Sequence, residues 1–268
     1  MSIGKSLRMK RIFRKDGKAL IVAMDHAYIF GPIKGLESPR TIIEKVLEAD
    51  ADAIMTTYGV LKNFSYLLRK KDIGVILRVD GGGSMYSLKD WGKIAEWNLL
   101  YAVKDAVKLG VDGIINMVLV GSPSEPTALK ITAKLAKECD EWGMPFACEI
   151  IPVGELNAHD PEIVATICRI AAEYGADMIK TIYPGNRDSF RKVVEACYIP
   201  VLIAGGPKME STRQVLKTVK DAIDAGGAGV FFGRNVWQHK DPVGMIVALS
   251  KIIHENCSVD EAMKQLSE

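Results

Sequence analysis

The chain has 268 residues, of which 48% are hydrophobic and 25% charged, and its net charge is +2. This ordinary globular composition, with Lys and Arg spread along the chain, gives no reason to expect nucleic acid or a membrane surface as a partner. The five cysteines include no C-x-x-C pair and no apolar run has the length of a membrane span, so we expect reduced thiols and a cytoplasmic location.

The predicted elements form a repeating series of strands and helices. The basic stretch at 1–18 is interpreted as a solvated lead-in, and the apolar run at 19–25 is expected to be the first strand. After it, a helix end, a tight turn and a strand recur four times, and the three intervals each hold one further strand, at 73–79, 144–151 and 199–204. Two βα units taken four times predict an α/β protein made of one (β/α)8 TIM barrel domain over residues 1–268.

Hydrophobic spacing between the strands is typical of helices. The predicted helices span 39–48, 93–109, 126–142, 161–174, 188–196, 211–225 and 241–256. A capping box from Ser258 to Glu261 predicts a short extra helix at 258–267 that ends the chain.

Lys180 stands in the middle of the sixth predicted strand, in an apolar run that Pro184 and Gly185 end. A charged ammonium is costly there unless it is paired or deprotonated. Desolvation lowers the pKa of a lysine, and a neutral amine is a nucleophile, so we predict that Lys180 forms a Schiff base. The alternative is a strand-end lysine whose stem is buried and whose head reaches solvent.

The ends of strands seven and eight predict a phosphate site. Glycines there expose backbone N–H groups where helices begin, and residues 235–239 are expected to form a short helix. An arginine adds a charge-assisted donor. The alternative is that the glycines only serve tight turns. The predicted phosphate and substrate ligands at these ends are Ala204, Gly205, Gly206, Lys208, Gly233 and Arg234.

Further polar residues stand at the ends of strands one, three and five. Asp25 is a candidate for proton transfer, and its alternative role is to accept hydrogen bonds from the following loop. Glu149 interrupts an apolar strand, so we expect it to be paired. His26, Arg78 and Asp80 are candidate substrate ligands. The scattered histidines and the missing dinucleotide fingerprint predict neither a metal nor a cofactor.

With these residues the chain resembles the archaeal-type class I fructose-bisphosphate aldolase family, whose relatives include a heptulosonate-forming transaldolase and an autoinducer thiolase. The resemblance implies that Lys180 forms the Schiff base, that Asp25 assists proton transfer, that the ends of strands seven and eight hold a phosphate, and that the protein is a homo-oligomer. The motifs that carry it are 24–26 with 31–36, 179–181 with Tyr183, 204–208, and 233–235 with 238–239.

One position departs from the family pattern. The family's aldolases end strand five with a tyrosine that acts as general acid or base, and this chain has Ile151 there. The proton shuttle is therefore expected at Glu149, Tyr183 or Asp80. An apolar barrel wall would raise the pKa of Glu149 towards neutrality, whereas pairing with Arg78 would make its role structural.

These observations predict a Schiff-base aldolase or transaldolase that makes or cleaves a C–C bond of a phosphorylated ketose, with a phosphorylated ketose or aldehyde as substrate. Two alternatives stay open. One is a thiolase-like acyl transfer on a phosphorylated diketone, and the other is a non-catalytic sugar-phosphate binder.

Overall fold

The computed structural model describes residues 2–69 and 71–266. Eight parallel strands close into a barrel, with the first strand hydrogen-bonded to both the second and the eighth. The predicted TIM barrel is confirmed. Its strands are β1 Ala19–Ala23, β2 Ala53–Thr56, β3 Gly74–Arg78, β4 Gly113–Val120, β5 Phe146–Pro152, β6 Met178–Thr181, β7 Val201–Ala204 and β8 Gly229–Phe232.

The strands are almost entirely buried on both faces, as expected for a parallel sheet covered by helices. Because successive side chains point to opposite faces, each strand contributes to two separate cores. Outward residues such as Leu20, Val22 and Ile54 pack against the helices. The inward residues fill the barrel and include Ile21, Ala23, Met55, Ile76, Ile115, Ala147, Met178, Leu202 and Phe231.

The helices begin at strong capping signals. Asp160, Asn186, Ser211 and Asp241 each accept a backbone N–H at a helix start, which satisfies donors that have no partner within the helix. The helices are α1 Ile3–Ile12, α2 Ala27–Phe30, α3 Pro39–Glu48, α4 Tyr58–Leu68, α5 Val103–Leu109, α6 Glu125–Trp142, α7 Pro161–Glu173, α8 Arg187–Ala196, α9 Thr212–Asp224, α10 Arg234–Trp237, α11 Pro242–Glu255 and α12 Val259–Met263.

The interpretation of residues 1–18 as a solvated lead-in is wrong. Residues 3–12 form α1, and Ile12 belongs to the core inside the barrel. Lys5 is only 3% exposed because its ammonium lies 2.5 Å from a carboxylate oxygen of Asp140 and 2.8 Å from one of Asp177. The segment therefore packs against the amino-terminal end of the barrel and is part of the fold.

The predicted helix at 93–109 is also wrong over its first half. A 3-10 turn spans Trp91–Lys93, and a short strand, Asn98–Leu99, pairs antiparallel with Asp80–Gly81. Only α5 is helical. The buried indole of Trp97 donates to Asp80 at 2.9 Å, so tertiary contacts over the barrel mouth override the helical pattern.

Two further elements, α2 and α4, were not predicted from the sequence. The capping box at Ser258 is confirmed and opens α12, and residue 267 of the predicted helix lies outside the described residues. Within residues 2–69 and 71–266, no helix is long and apolar enough to cross a membrane.

Candidate active site

A cavity of about 440 Å³ opens at the carboxyl ends of the strands. Strand ends and the loops after them supply its walls, which is where TIM barrels carry their sites. The lining residues are Asp25, His26, Tyr28, Ile29, Phe30, Arg78, Trp91, Met117, Glu149, Ile151, Val153, Lys180, Pro207 and Arg234.

Lys180 lies inside the barrel and is 5% exposed. Its partner in the pairing of β5 with β6 is Glu149, and the ammonium lies 2.7 Å from the Oε1 atom of that carboxylate. The ring centroid of Phe231 is 5.6 Å from the same nitrogen. The lysine therefore ends on a carboxylate in the cavity, and the alternative of a head extended into bulk solvent does not hold.

Arg78 joins three carboxylates. Its Nε donates to Asp25 Oδ2 at 3.0 Å and its Nη1 to Asp80 Oδ1 at 3.3 Å, while Nη2 donates to Glu149 Oε2. The guanidinium is 3% exposed and its single charge faces three negative ones. Arg78 also lines the cavity, so its predicted contact with substrate stays a prediction, while its three hydrogen bonds hold Asp25, Asp80 and Glu149.

Neighbouring charges lower the pKa of two of these carboxylates, Glu149 and Asp25. Burial by itself raises the pKa of Glu149, but the charges of Lys180 and Arg78 outweigh it and hold the pKa below its usual value. The predicted rise in the pKa of Glu149 is therefore wrong. Burial likewise opposes the effect of Arg78 and His26 on Asp25, whose pKa nevertheless lies far below normal. Both groups are ionised at neutral pH.

Asp80 lies behind the cavity wall. Its Oδ2 atom accepts from the indole of Trp97 at 2.9 Å and from the backbone N–H of Met117 at 2.5 Å, and Oδ1 faces Arg78. Burial raises the pKa of Asp80 to about 6 against the opposing charge of Arg78. Because its oxygens are occupied and it does not line the cavity, Asp80 supports Arg78 and is not a substrate ligand.

The segment after β1, which includes α2, brings three aromatic side chains to the cavity: His26, Tyr28 and Phe30. His26 lines it, with Nδ1 3.4 Å from Asp25 Oδ1 and the ring edge-on to Trp237. Strand β1 ends at Ala23, and His26 already has helical backbone angles. Tyr28 was missed because the position of α2 cannot be deduced from strand periodicity.

Tyr183 does not belong to the cavity. Strand β6 ends at Thr181, and three residues beyond Lys180 the side chain points to the opposite face. Its ring packs on Phe190, and burial together with Asp221 and Asp188 raises its pKa to about 12. The prediction of a catalytic role for Tyr183 is therefore corrected by its position outside the barrel.

At the predicted phosphate end, Arg234 lines the cavity and its Nε is buried without a hydrogen-bond partner in the described part of the chain. Burial alone lowers the pKa of this guanidinium, since no carboxylate compensates it. Arg234 is thus available to an anion. The predicted short helix is confirmed as α10, although it begins at Arg234 itself.

The neighbouring backbone is fixed by contacts. Gly205 donates its N–H to Phe231, and its carbonyl accepts from the Asn235 amide at 2.7 Å. Gly233 is required by packing, because a Cβ atom there would lie 2.7 Å from His26 Cε1. The N–H of Gly205 is therefore engaged within the barrel, and a phosphate contact from Gly233 stays a prediction. Asn235, which sequence reasoning missed as a site residue, joins the loops after β7 and β8.

The other predicted ligands of this end differ in position. Lys208 donates to the backbone carbonyl of Gln238 and lines a separate cavity beside α9, so it is not part of the cavity around Lys180. Gly206 has a φ of +62°, which suits a glycine in a tight turn. Ala204 ends β7 and is half-buried. A phosphate contact from Ala204 or Gly206 stays a prediction.

A family model for the DeoC/LacD family aldolases matches residues 19–239. An uncharacterized aldolase of Saccharolobus solfataricus is 35% identical and covers 98% of this chain and 99% of its own length. The 2-amino-3,7-dideoxy-D-threo-hept-6-ulosonate synthase of Halobacterium salinarum is 33% identical over 97% of this chain and 95% of that protein. A 3-hydroxy-5-phosphonooxypentane-2,4-dione thiolase of Enterobacter sp. strain 638 is also 33% identical, over 97% and 85%.

Among solved structures, a Schiff-base-forming fructose-1,6-bisphosphate aldolase superimposes with a TM-score of 0.84 at 28% identity. The match covers 93% of this chain and 100% of that one.

Proposed function

The chain belongs to the DeoC/LacD family of aldolases and makes or breaks carbon–carbon bonds, and we propose that it does so through an imine between Lys180 and a phosphorylated ketone. The predicted class of enzyme is confirmed. The observation that carries the proposed role of Lys180 is the 2.7 Å contact with Glu149 inside a cavity at the carboxyl end of the barrel. A buried amine beside a carboxylate has a proton acceptor within hydrogen-bond reach.

In the proposed first step, Glu149 takes a proton from the Lys180 ammonium and the free amine attacks the ketone carbonyl. Glu149 then returns this proton to the hydroxyl of the carbinolamine, which leaves as water, and the nitrogen becomes part of a protonated imine. This cation withdraws electrons from the C–C bond between the α and β carbons of the bound ketone, as an aldol cleavage requires. Arg78 keeps the Glu149 carboxylate in place during these steps.

In the second step, a base takes the proton of the substrate hydroxyl, the C–C bond breaks, and the aldehyde leaves an enamine on Lys180. The pKa of Glu149 is lowered by two cations, Lys180 and Arg78. Because the enamine nitrogen is neutral, only Arg78 still lowers it at this stage. Glu149 then holds a proton more readily. We propose that it is the base of this step and returns the proton to the enamine carbon.

Tyr28 is proposed as a hydrogen-bond donor to the substrate in place of the tyrosine that Ile151 replaces. It lines the cavity, and burial raises the pKa of its phenol well above normal, with the surrounding carboxylates adding to the rise. The phenol therefore stays protonated. Tyr28→Phe is expected to keep imine formation and to lose turnover, and unchanged turnover would contradict this role.

Arg234 is proposed to bind the substrate phosphate. Its guanidinium lines the same cavity as Lys180, carries a buried N–H without a partner, and stands at the first residue of α10. Charge-assisted hydrogen bonds to phosphate are well suited to a guanidinium.

A turnover screen of ketose phosphates tests the proposed function. Wild-type protein is expected to release an aldehyde from at least one of them, whereas Lys180→Arg is expected to be inactive because a guanidinium does not form an imine. A thiolase-like activity would instead require a thiol acceptor for turnover, and a pure binder would bind without turnover. Either result, with Lys180→Arg behaving as wild type, would contradict the proposal.

A further inference from the structure

We infer that the aldehyde half of the substrate is apolar and carries no second phosphate. The inference rests on the proposed aldolase function and deepens it. It begins from the charges of the cavity, which leave room for one anion only.

Lys180 belongs to a cluster of five charged side chains. The carboxylates of Asp25, Asp80 and Glu149 face the cations of Arg78 and Lys180 through contacts of 2.7 to 3.3 Å and the shorter Arg78–Glu149 bond. Three negative groups therefore oppose two positive ones. A second phosphate near this cluster would meet net repulsion.

Arg234 is the remaining cation among the described residues that line the cavity. Arg78 is committed to three carboxylates, and Lys180 must lose its proton to react. One guanidinium can pair with one phosphate through charge-assisted hydrogen bonds, so the site suits a monophosphate.

The opposite side of the mouth is apolar. A separate hydrophobic cluster lies there, formed by residues of β4 and of the loops after β1 and β3. Its buried members include Ile29, Trp97 and Leu119. Five partly buried side chains that pack on this cluster line the cavity: Tyr28, Phe30, Trp91, Ile151 and Val153.

The two sides come from different parts of the barrel. Pro207 and Arg234 follow β7 and β8, whereas Ile151 and Val153 come from the end of β5 and the residue after it. The order of strands places β6, which carries Lys180, between β5 and β7. A ketone bound to Lys180 with its phosphate at Arg234 would therefore direct its other end towards the apolar side.

Burial of a methylene group on such a surface is worth about 0.8 kcal/mol, or about fourfold in kcat/KM. The inferred acceptors are thus unbranched aliphatic or aromatic aldehydes. Bisphosphate substrates would place a charged group against Ile151 and Val153, in a part of the cavity whose described lining residues include no cation.

The test condenses dihydroxyacetone phosphate with a panel of aldehydes. Acetaldehyde, butanal and benzaldehyde are the neutral members, and glyceraldehyde 3-phosphate is the anionic one. We expect kcat/KM to rise about fourfold per added methylene and to be at least about tenfold lower for the phosphorylated aldehyde, since an unpaired buried charge is costly.

A substitution at Val153 tests whether the apolar side of the cavity determines the preference between aldehydes. Val153→Arg is expected to lower kcat/KM for butanal and to raise it for glyceraldehyde 3-phosphate. The control is Leu7→Arg, which introduces the same charge at an exposed position of α1 at the other end of the barrel and should change neither value.

Borohydride trapping of dihydroxyacetone phosphate, run in parallel, separates two kinds of failure. If the imine forms at Lys180 but glyceraldehyde 3-phosphate is the better acceptor, or if Val153→Arg leaves the preference unchanged, this inference is wrong and the aldolase function stands. If Lys180 forms no imine, the proposed function fails and the inference fails with it.

Discussion

Arg78 determines the arrangement of charges at the scale of single residues. It is nearly inaccessible to solvent, and its three N–H contacts reach Asp25 just after β1, Asp80 just after β3 and Glu149 in the middle of β5. A buried arginine without these partners would be costly. Its charge in turn keeps Asp25 and Glu149 ionised, so that Lys180 always faces a carboxylate able to accept its proton.

Replacing Glu149 with Gln keeps the shape of the side chain but removes the proton acceptor of Lys180. We expect kcat to fall by about 100- to 10,000-fold, the usual contribution of general acid–base catalysis, while slow imine trapping continues. Steady-state kinetics and mass spectrometry of the reduced protein measure the two effects. A lowered Tm with unchanged kcat would mean that Glu149 only serves to pair Arg78.

Arg234→Ala removes the proposed phosphate ligand. We expect kcat/KM for a phosphorylated ketose to fall by an amount equivalent to about 1.5–3 kcal/mol, the value of a hydrogen bond to a charged group, with little change for the dephosphorylated analogue. Lys208→Ala is the matched control, because Lys208 donates to a carbonyl outside the cavity. Equal losses for both substrates, or a larger loss in Lys208→Ala, would place the phosphate elsewhere.

The raised pKa of Asp80 predicts how the free energy of unfolding changes with pH. Burial raises its folded-state pKa to about 6, above about 3.9 in the unfolded chain. Between these values the folded carboxyl binds more protons than the unfolded one, so its contribution to the free energy of unfolding falls as pH rises from about 4 to about 6. Asp80→Asn does not titrate, and its Tm relative to wild type should therefore improve across this window. A constant difference in thermal unfolding would contradict the raised pKa.

At the scale of elements, α1 is the part of the structure whose role differs most from the sequence-based interpretation. Ile12 fills the amino-terminal end of the barrel, whereas Leu7 on the same helix is 58% exposed. We expect Ile12→Ala to lower the free energy of unfolding by about 2–5 kcal/mol and Leu7→Ala to change it by less than about 0.5 kcal/mol. Urea denaturation measures both. Similar small effects would mean that α1 contributes little to stability.

The barrel strands were predictable from the sequence, but the segment that covers the mouth of the barrel was not. The repeat of a helix end, a tight turn and a strand could be used to place the strands, because burial on both faces demands continuous apolar runs. The segment at 93–102 has helical spacing, yet the contact between Trp97 and Asp80 draws it into a short antiparallel pair. Such a contact joins positions far apart in the sequence, and periodicity contains no information about it.

The site shows the same division. Lys180 and Glu149 were predictable, since charged residues inside apolar strands must be paired. The alternation of side chains that begins along β6 could also have placed Tyr183 outside the barrel. The pairing of Arg78 with Glu149 was expected only as one alternative. Tyr28 was missed because it lies on α2, a short helix whose position depends on tertiary packing.

At the scale of the whole molecule, the barrel mouth has two unlike sides with the charged cluster between them. Arg234 lies on one side, and the apolar cluster around Ile29 and Trp97 lies on the other. The reacting amine is set at the centre by β6. This arrangement suits a substrate with one charged end, a carbonyl in the middle and an apolar far end.

The most direct measurement is borohydride reduction of the wild-type protein in the presence of dihydroxyacetone phosphate, followed by peptide mass spectrometry. Lys5 is the internal control, because it is as buried as Lys180 and as closely paired with carboxylates, but lies at the other end of the barrel. The account predicts that the reduced donor is attached to the peptide that holds Lys180 and not to the one that holds Lys5, and that Lys180→Arg abolishes the adduct. No adduct at Lys180, or one that persists in Lys180→Arg, would contradict it.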